Sequence, residues 1–342
     1  MENKNGGINN TSQLLLDIRD LRVSYKVYNG KSQVIDGINM HLYPSEKIGL
    51  VGESGCGKTT AVKSIMQVLA QQAIIDSGSI FFENQDVLKL NTRELNALRS
   101  RKLSMIFQDP TASLNPVFTV GSQMYDVIRY SGIVKASDKS AIVERAVQAL
   151  KDCSMPDPMR ILDSYPFQLS GGMRQRICIA MALATASRLM IADEPTTNLD
   201  VTIQAQVLDL ISELVKKNDT SLILITHSLG VARQMTERIY MMYAGTIVET
   251  APTEKIFENP LHPYTHGLLS SIPKLTGDGI MSGIDGHLPN YTAPPTGCRF
   301  CERCDQKTPE CETIKPELVE VSSGHFVACH LHGGKSIPNQ EV

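Results

Sequence analysis

The chain has 342 residues, 42% hydrophobic and 20% charged, with a formal net charge of −3. That length accommodates about two or three cores of an ordinary soluble globular protein, and the near-neutral balance supplies no basic field of the kind that recruits nucleic acid. No apolar run approaches a membrane span, and the polar start MENKNGGINNTSQ lacks the apolar stretch of a secretory signal.

Residues 1–13 are therefore expected as a disordered tail, the chain as intracellular, and any membrane role as one exercised through partners. Leu14 to Lys26 and Val34 to Leu42 read as strands separated by a turn at Asn29-Gly30. Tyr25 and Tyr28 lie just before that turn; either can stack on a nucleotide base or serve as an ordinary strand aromatic. Ile48 to Thr60, IGLVGESGCGKTT, follows. A short apolar run ends at Gly52, and Gly57, Lys58 and Thr59 complete G-x-x-x-x-G-K-[ST], the phosphate-binding loop. Gly52, Gly55 and Gly57 let the backbone wrap closely, so that the N–H groups of Glu53, Ser54, Cys56 and Thr60 can turn toward an anion. Lys58 is expected on the β- and γ-phosphates and the Thr59 hydroxyl on Mg²⁺. Apolar residues at Val62, Ile65, Met66 and Leu69 give helical spacing, so the loop opens a helix whose N-terminus faces the phosphates. A strand before and a helix after set this stretch apart from a chance glycine-rich turn.

Gly78 to Glu83 reads as a strand, and Asn91 with Glu94 has the form of a capping box starting the helix TRELNALR. Lys102 to Phe107 is a further strand ending at Gln108, and DPTASLNPVFT after it reads as a loop. Amphipathic helices are expected over 120–129 and 139–151, with a break at Pro156 and Pro158. In LSGGMRQR, Leu169 to Arg176, Ser170 can cap a helix. Gly171 and Gly172 at its start leave backbone N–H groups uncovered, which makes either a second anion site or a plain cap; the residues alone favour the plain cap. Leu189 to Ala192 reads as a buried parallel strand ending in Asp193-Glu194. Two acids there are costly without a task. Beside a phosphate loop, Asp193 can hold Mg²⁺ through water and Glu194 can polarise an attacking water. A helix over 201–216 and the strand Ser221 to Ile225 follow, the strand ending at Thr226-His227. Ligands gather at the carboxyl ends of such strands, which points His227 at the γ-phosphate. Met241 to Tyr243 and Thr246 to Glu249 form a hairpin around Ala244-Gly245, and a helix over 252–258 ends at Asn259-Pro260. From there the chain is rich in Pro, Gly, His and Cys and reads as a second, smaller unit. Of eight cysteines, Cys298, Cys301, Cys304, Cys311 and Cys329 crowd this last part, a pattern that in a cytosolic protein favours a metal site over disulfides.

The phosphate loop, Gln108 at a strand end, LSGGMRQR, LMIADE and His227 occur in that order, and together they resemble the ATP-binding subunit of an ABC transporter. The resemblance covers nearly the whole chain. It implies an α/β fold: a P-loop NTPase core with a parallel sheet, an antiparallel β subdomain, a helical subdomain at about 109–186, and a small Cys-rich C-terminal domain. The ATPase domain would span 14–258 and the C-terminal domain 259–342. By this resemblance Leu169, Ser170, Gly171, Gly172 and Gln175 form the signature loop, which clamps ATP held by the opposite subunit. Gln108 senses Mg²⁺ and links to membrane subunits; Tyr25 stacks on adenine, with Tyr28 as second choice; Lys58, Glu194 and His227 are catalytic. IFQDPTASLNPVFTVG, DEPTTNLDVTIQAQ and NPLHPYTHGLLSSIP, with His262-Pro263-Tyr264, are similar to the dipeptide, oligopeptide and nickel importer branch. Cys298, Cys304, Cys311 and Cys329 resemble the ligands of an iron–sulfur cluster in that branch; a [4Fe–4S] cluster, Zn²⁺ or free thiols stand as the alternatives, with Cys301 a spare. Asn198 and Ser228 depart from the branch, which has Ala and Asp there, but neither replaces a catalytic group.

The expected protein is an ATP-hydrolysing, Mg²⁺-dependent subunit at the cytoplasmic face of a membrane that powers peptide import, or import of nickel or another small solute. It would pair with a similar but distinct ATPase subunit, two membrane-spanning subunits and an external binding protein. The alternative of another class is a soluble ABC-type ATPase working on nucleic acid or the ribosome; such proteins carry long insertions, whereas Thr59 to Asp193 holds a modest helical one.

Overall fold

The computed structural model describes residues 14–28, 30–185, 187–197, 199–271 and 283–332. The expected tail 1–13, Asn29 and the departure at Asn198 lie outside the described residues.

Strand β1 (Leu16–Val27) pairs antiparallel with β2 (Gly30–Leu42). The chain then runs through β3 (Lys47–Val51) and the phosphate loop into α1 (Lys58–Met66). It returns as β4 (Ala73–Phe82), which pairs with the other edge of β1, and β5 (Gln85–Asp86). The reciprocal cap opens α2 (Thr92–Arg101): the Asn91 side chain accepts from the Glu94 N–H, and the Glu94 carboxylate accepts from the Asn91 N–H. After β6 (Leu103–Ile106), the stretch expected as loop contains one helical turn, α3 (Pro110–Ser113), started by the Asp109 cap and Pro110.

The helical insertion consists of α4 (Val120–Ser131), α5 (Lys139–Asp152), α6 (Pro158–Asp163) and α7 (Gly171–Leu183). Pro158 does not merely break the chain; it is a first-turn residue of α6, behind the Asp157 cap. Then come β7 (Leu189–Asp193), α8 (Val201–Lys217), β8 (Ser221–Thr226), α9 (Leu229–Met235), β9 (Arg238–Tyr243) and β10 (Thr246–Pro252). The C-terminal part adds α10 (Thr253–Glu258), α11 (Pro263–Ser270), α12 (Glu310–Thr313), β11 (Val319–Ser322) and β12 (His325–Val327).

The larger sheet has the order β11-β12-β10-β9-β3-β8-β7-β6. β9, β3, β8, β7 and β6 are mutually parallel; β10, β12 and β11 are antiparallel additions. Every residue of β7 and β8 is buried, which a parallel strand covered on both faces requires. Alternate side chains serve different cores. Met190, Ala192, Leu222 and Leu224 pack with the helices, joining Met124, Leu150, Ile179 and Ile211. Leu189, Ile191, Ile223 and Ile225 pack against the antiparallel sheet, joining Ile18, Leu42, Ile80 and Phe82. Each of these buried Leu, Ile, Met and Phe side chains stabilises the fold by about 1.5–3 kcal/mol.

The C-terminal stretch does not stand apart as a separate unit with its own sheet. β12 pairs with β10 at Glu249↔Val327 and Thr250↔Phe326. Tyr264 and Phe300 share a core with Val51, Ile239 and Met241 of the main sheet. A β10 edge left open would expose unpaired backbone groups, and the tail covers it. The Pro-, Gly- and Cys-rich composition marks a stretch poor in regular elements, which is a different property from an independent core.

Candidate active site

Four parallel strands deliver the expected residues to one edge. Val51 at the end of β3 lies level with Thr226 of β8, Asp193 of β7 with Ile225, and Ile106 of β6 with Ala192. The residues immediately beyond these ends are the phosphate loop, His227, Glu194 and, one residue further along its own strand, Gln108. The carboxyl edge of a parallel sheet is where ligands of such folds bind.

The loop's glycines are fixed by space as much as by dihedral angle. Gly55 and Gly57 have φ of 82° and 107°, in the region that disfavours side chains. Gly52 lies against the Met242 carbonyl, where a Cβ would be 2.1 Å from the oxygen. The Cys56 side chain is buried beneath Gly52, and burial pushes its thiol above the ordinary value, so it enters the loop as packing and backbone only. Ser54 is exposed. Lys58 is buried, and its Nζ donates to the carbonyls of Gly52 (2.8 Å) and Glu53 (2.9 Å). The ammonium thus stands inside the loop.

The Thr59 hydroxyl donates to Asp193 Oδ1 at 3.1 Å. Burial raises the Asp193 carboxyl above its usual range; the Thr59 bond opposes this, and the nearby Glu194 charge adds to it. A carboxylate and a hydroxyl in contact are hard oxygen donors, so this pair fits Mg²⁺. Glu194 has φ 46°, a strained conformation for a non-glycine residue and of the kind found at functional sites. Its Oε2 accepts from Gln108 Nε2 (3.1 Å) and Thr197 Oγ1 (3.0 Å), and lies 3.3 Å from His227 Nδ1. Gln108 and His227 are exposed, leaving this side of Glu194 open to a ligand and water.

The two tyrosines separate. The Tyr25 hydroxyl lies 3.2 Å from Thr60 Oγ1, beside the phosphate-loop helix, whereas Tyr28 is fully exposed at the hairpin tip. The LSGG stretch divides as well. Ser170 is exposed and caps α7, its Oγ accepting from the Met173 N–H at 3.3 Å; a Cβ on Gly171 would meet nothing within 4 Å, so an open face surrounds it. A Cβ on Gly172 would touch only Ile203. Leu169 and Gln175 do not belong to that face, contrary to expectation. Leu169 is 9% exposed in the helical core. Gln175 is 1% exposed and donates to the Pro195 carbonyl at 2.7 Å, so it ties α7 to the segment following Glu194. The reason is helical phase: five residues past the cap, the side chain has rotated to the buried side.

Cys298, Cys301, Cys304, Cys311 and Cys329 line one small cavity together with His262 and His330. It has room for about 10 Å³, roughly one water. Burial, reinforced by neighbouring thiols, pushes Cys298 up to about 12. Among the described residues, no group of three or more His, Cys, Asp or Glu side chains closes on a single ion. The expected thiols therefore converge, but as a loose lining and not as a formed cage.

Sequence reasoning missed the residues that press on the phosphate loop from the C-terminal part. The Glu53 N–H donates to the Tyr264 hydroxyl (2.9 Å), Tyr291 donates to the Gly55 carbonyl (2.9 Å), and Arg303 pairs with the Glu53 carboxylate (2.9 Å). The His-Pro-Tyr segment was the visible signal, without any hint of its target.

A phosphate loop, an Asp-Glu strand end, a strand-end glutamine and a histidine on one sheet edge define a P-loop ATPase of the ABC type. Comparison with known proteins agrees. The ABC transporter family matches residues 35–197, and the oligopeptide/dipeptide transporter C-terminal region matches 248–311. The chain is 43% identical to the dipeptide transport ATP-binding protein DppD of Bacillus subtilis, over 93% of this chain and 94% of that one. It is 40% identical to the oligopeptide transport ATP-binding protein OppD of Salmonella typhimurium, over 93% and 94%. A solved dimeric ATP-binding cassette in a post-hydrolysis state, bound to ADP and Pi, has the same fold, with TM-score 0.62 and 25% identity over 70% of this chain and 98% of that one. The chain belongs to the family of dipeptide and oligopeptide transport ATP-binding proteins. No helix among its described residues is long and apolar enough to cross a membrane.

Proposed function

We propose that this chain hydrolyses ATP at the cytoplasmic face of the membrane to power import of di- or oligopeptides through an ABC transporter complex. The observation that carries the reading is the convergence of Lys58, Thr59, Asp193, Glu194, Gln108 and His227 on one sheet edge. Tyr25 stacks on adenine. The amides of Gly52 to Thr60 and the Lys58 ammonium hold the phosphates. Thr59 and Asp193 would hold Mg²⁺, which would supply positive charge to neutralise the phosphates when bound. Glu194 takes a proton from a water aligned with the γ-phosphorus. That water's oxygen bonds to phosphorus as the bond to the β–γ bridging oxygen breaks, giving ADP and phosphate. His227 and Gln108 hold Glu194 and the γ-phosphate in register. Ser170, Gly171 and Gly172 meet the nucleotide of a second, similar ATPase subunit.

An apolar groove supports attachment to permease subunits. It encloses about 800 Å³ between α1, α2, β6, α4 and α7, lined by Met66, Leu103, Met105, Phe107, Tyr130 and Met181, one residue from Gln108. A helix from a membrane subunit seated there would reach the site through Gln108. The thiol cavity supports a group held by soft sulfur ligands. Cys298, Cys304, Cys311 and Cys329 would hold a [4Fe–4S] cluster, or Zn²⁺ as second reading, although the lining as it stands has room for about one water. Visible absorption and metal analysis of anaerobically purified protein decide between them; zinc without iron rejects the cluster, and neither metal rejects both. For transport itself, the test is the ATPase rate of the chain reconstituted with permease subunits and binding protein. Stimulation by a peptide-loaded binding protein is expected; stimulation by another solute and not by peptides rejects the peptide reading.

A further inference from the structure

The His-Pro-Tyr segment has no part in the hydrolysis chemistry, yet its placement is specified residue by residue. Glu249 on β10 is fully buried, and its carboxylate accepts from the backbone N–H groups of Leu261 (2.8 Å) and His262 (3.0 Å) and lies 2.7 Å from His325 Nε2. His262 then caps α11, its Nδ1 accepting from the Tyr264 N–H at 3.0 Å, and Pro263 occupies the first turn. Tyr264 is left with no freedom: it is fully buried, its ring 4.8 Å from that of Tyr243 and 5.6 Å from that of Phe300. The hydroxyl of this fixed ring receives the Glu53 N–H.

That N–H shares a peptide unit with the Gly52 carbonyl. In a trans peptide the two groups point in opposite directions. One end of this unit is held by Tyr264 and the other by the Lys58 ammonium. Turning the peptide would move the ammonium. Two further contacts secure the same half of the loop. Arg303 is 6% exposed in its side chain, bonds the carbonyls of Ile284 (2.9 Å) and Asp285 (2.8 Å), and pairs with Glu53. Tyr291 donates to the Gly55 carbonyl. We infer that Tyr264, Arg303 and Tyr291 are positioning residues of the nucleotide site: the C-terminal region is a latch that fixes the Gly52–Gly55 half of the phosphate loop and, through the Gly52–Glu53 peptide, aims Lys58.

This inference rests on ATP binding at the loop, and its test separates the two. ATP affinity and steady-state ATPase are measured on the full chain for wild type, Tyr264→Phe, Arg303→Gln, Arg303→Lys and Phe300→Leu. Losing one hydrogen bond to the loop weakens ATP about 3–10-fold in Tyr264→Phe, in Kd and KM together. Arg303→Gln weakens ATP similarly, and Arg303→Lys restores most of the loss because an ammonium still pairs with Glu53. Phe300→Leu disturbs the same aromatic cluster without touching the loop, so it lowers Tm and leaves Kd within about twofold. The latch is refuted if Tyr264→Phe binds ATP as wild type does, or if Phe300→Leu weakens ATP as much as Tyr264→Phe. Wild-type protein that fails to bind ATP refutes the nucleotide reading itself.

Discussion

Glu194→Gln is the sharpest perturbation of the hydrolytic site, because it removes a base while keeping a shape. The carboxylate Oε2 has three polar neighbours: Gln108 Nε2, Thr197 Oγ1 and His227 Nδ1. An amide oxygen in the same place still accepts from Gln108 and Thr197, so the strained turn and the strand end should survive. What disappears is the capacity to take a proton from water. General base catalysis of this kind contributes about 10²–10⁴ in rate, equivalent to about 2.7–5.5 kcal/mol of barrier. The assay pairs phosphate release at saturating ATP with direct ATP binding. The variant should bind ATP within a few-fold of wild type and release phosphate at least a hundredfold more slowly. Undiminished turnover with ATP bound would refute Glu194 as the base and the reading of the Asp193-Glu194 strand end with it.

Three other perturbations test separate parts of the structure. Gly52→Ala places a Cβ 2.1 Å from the Met242 carbonyl oxygen and 2.9 Å from Cys56 Sγ, so the loop must shift; ATP affinity should fall more than tenfold (about 1.4 kcal/mol or more), which calorimetry reads directly. Glu249→Gln disrupts a fully buried carboxylate facing His325 and two backbone donors, and should cost about 3–5 kcal/mol, seen as an earlier thermal unfolding step. The same carboxyl gives a pH signature. Burial alone would raise it, but its hydrogen bonds, with His325 foremost, hold it below its ordinary 4.5 in the folded chain. A depressed folded value means that the folded state binds fewer protons, so its stabilisation is fully present above pH 4.5 and is lost as pH falls below it; Glu249→Gln should flatten that part of the acid-stability curve. Tyr130→Asp, at a residue 72% exposed on the groove beside Gln108, should abolish co-purification with permease subunits while leaving the isolated chain's ATPase unchanged.

Much of this protein was legible because its decisive signals are local. The phosphate loop, the Asn91–Glu94 capping box, the Ser170 cap and the apolar strands ending in Asp193-Glu194 and Thr226-His227 each depend on a few consecutive residues, and the structure keeps them. Local patterns also gave the helices α4, α5 and α8 to within a few residues, since amphipathic spacing is a property of the helix itself.

What tertiary structure alone decided is which of these local pieces meet. Parallel pairing of β3, β8, β7 and β6 gathers Lys58, Glu194, Gln108 and His227 at one edge, a matter of strand order that no short stretch encodes. Packing turned Gln175 inward, placed Tyr25 rather than Tyr28 beside Thr60, and drew the spaced cysteines onto one cavity. It also folded the C-terminal stretch back onto the loop. The sequence determined a phosphate-binding loop, because glycines and a lysine at fixed spacing suffice for an anion nest. Only the assembled fold decided that the Gly52–Glu53 peptide of that loop is held from outside by Tyr264. Hydrogen bonds between distant residues form only after sheet and core have brought them together.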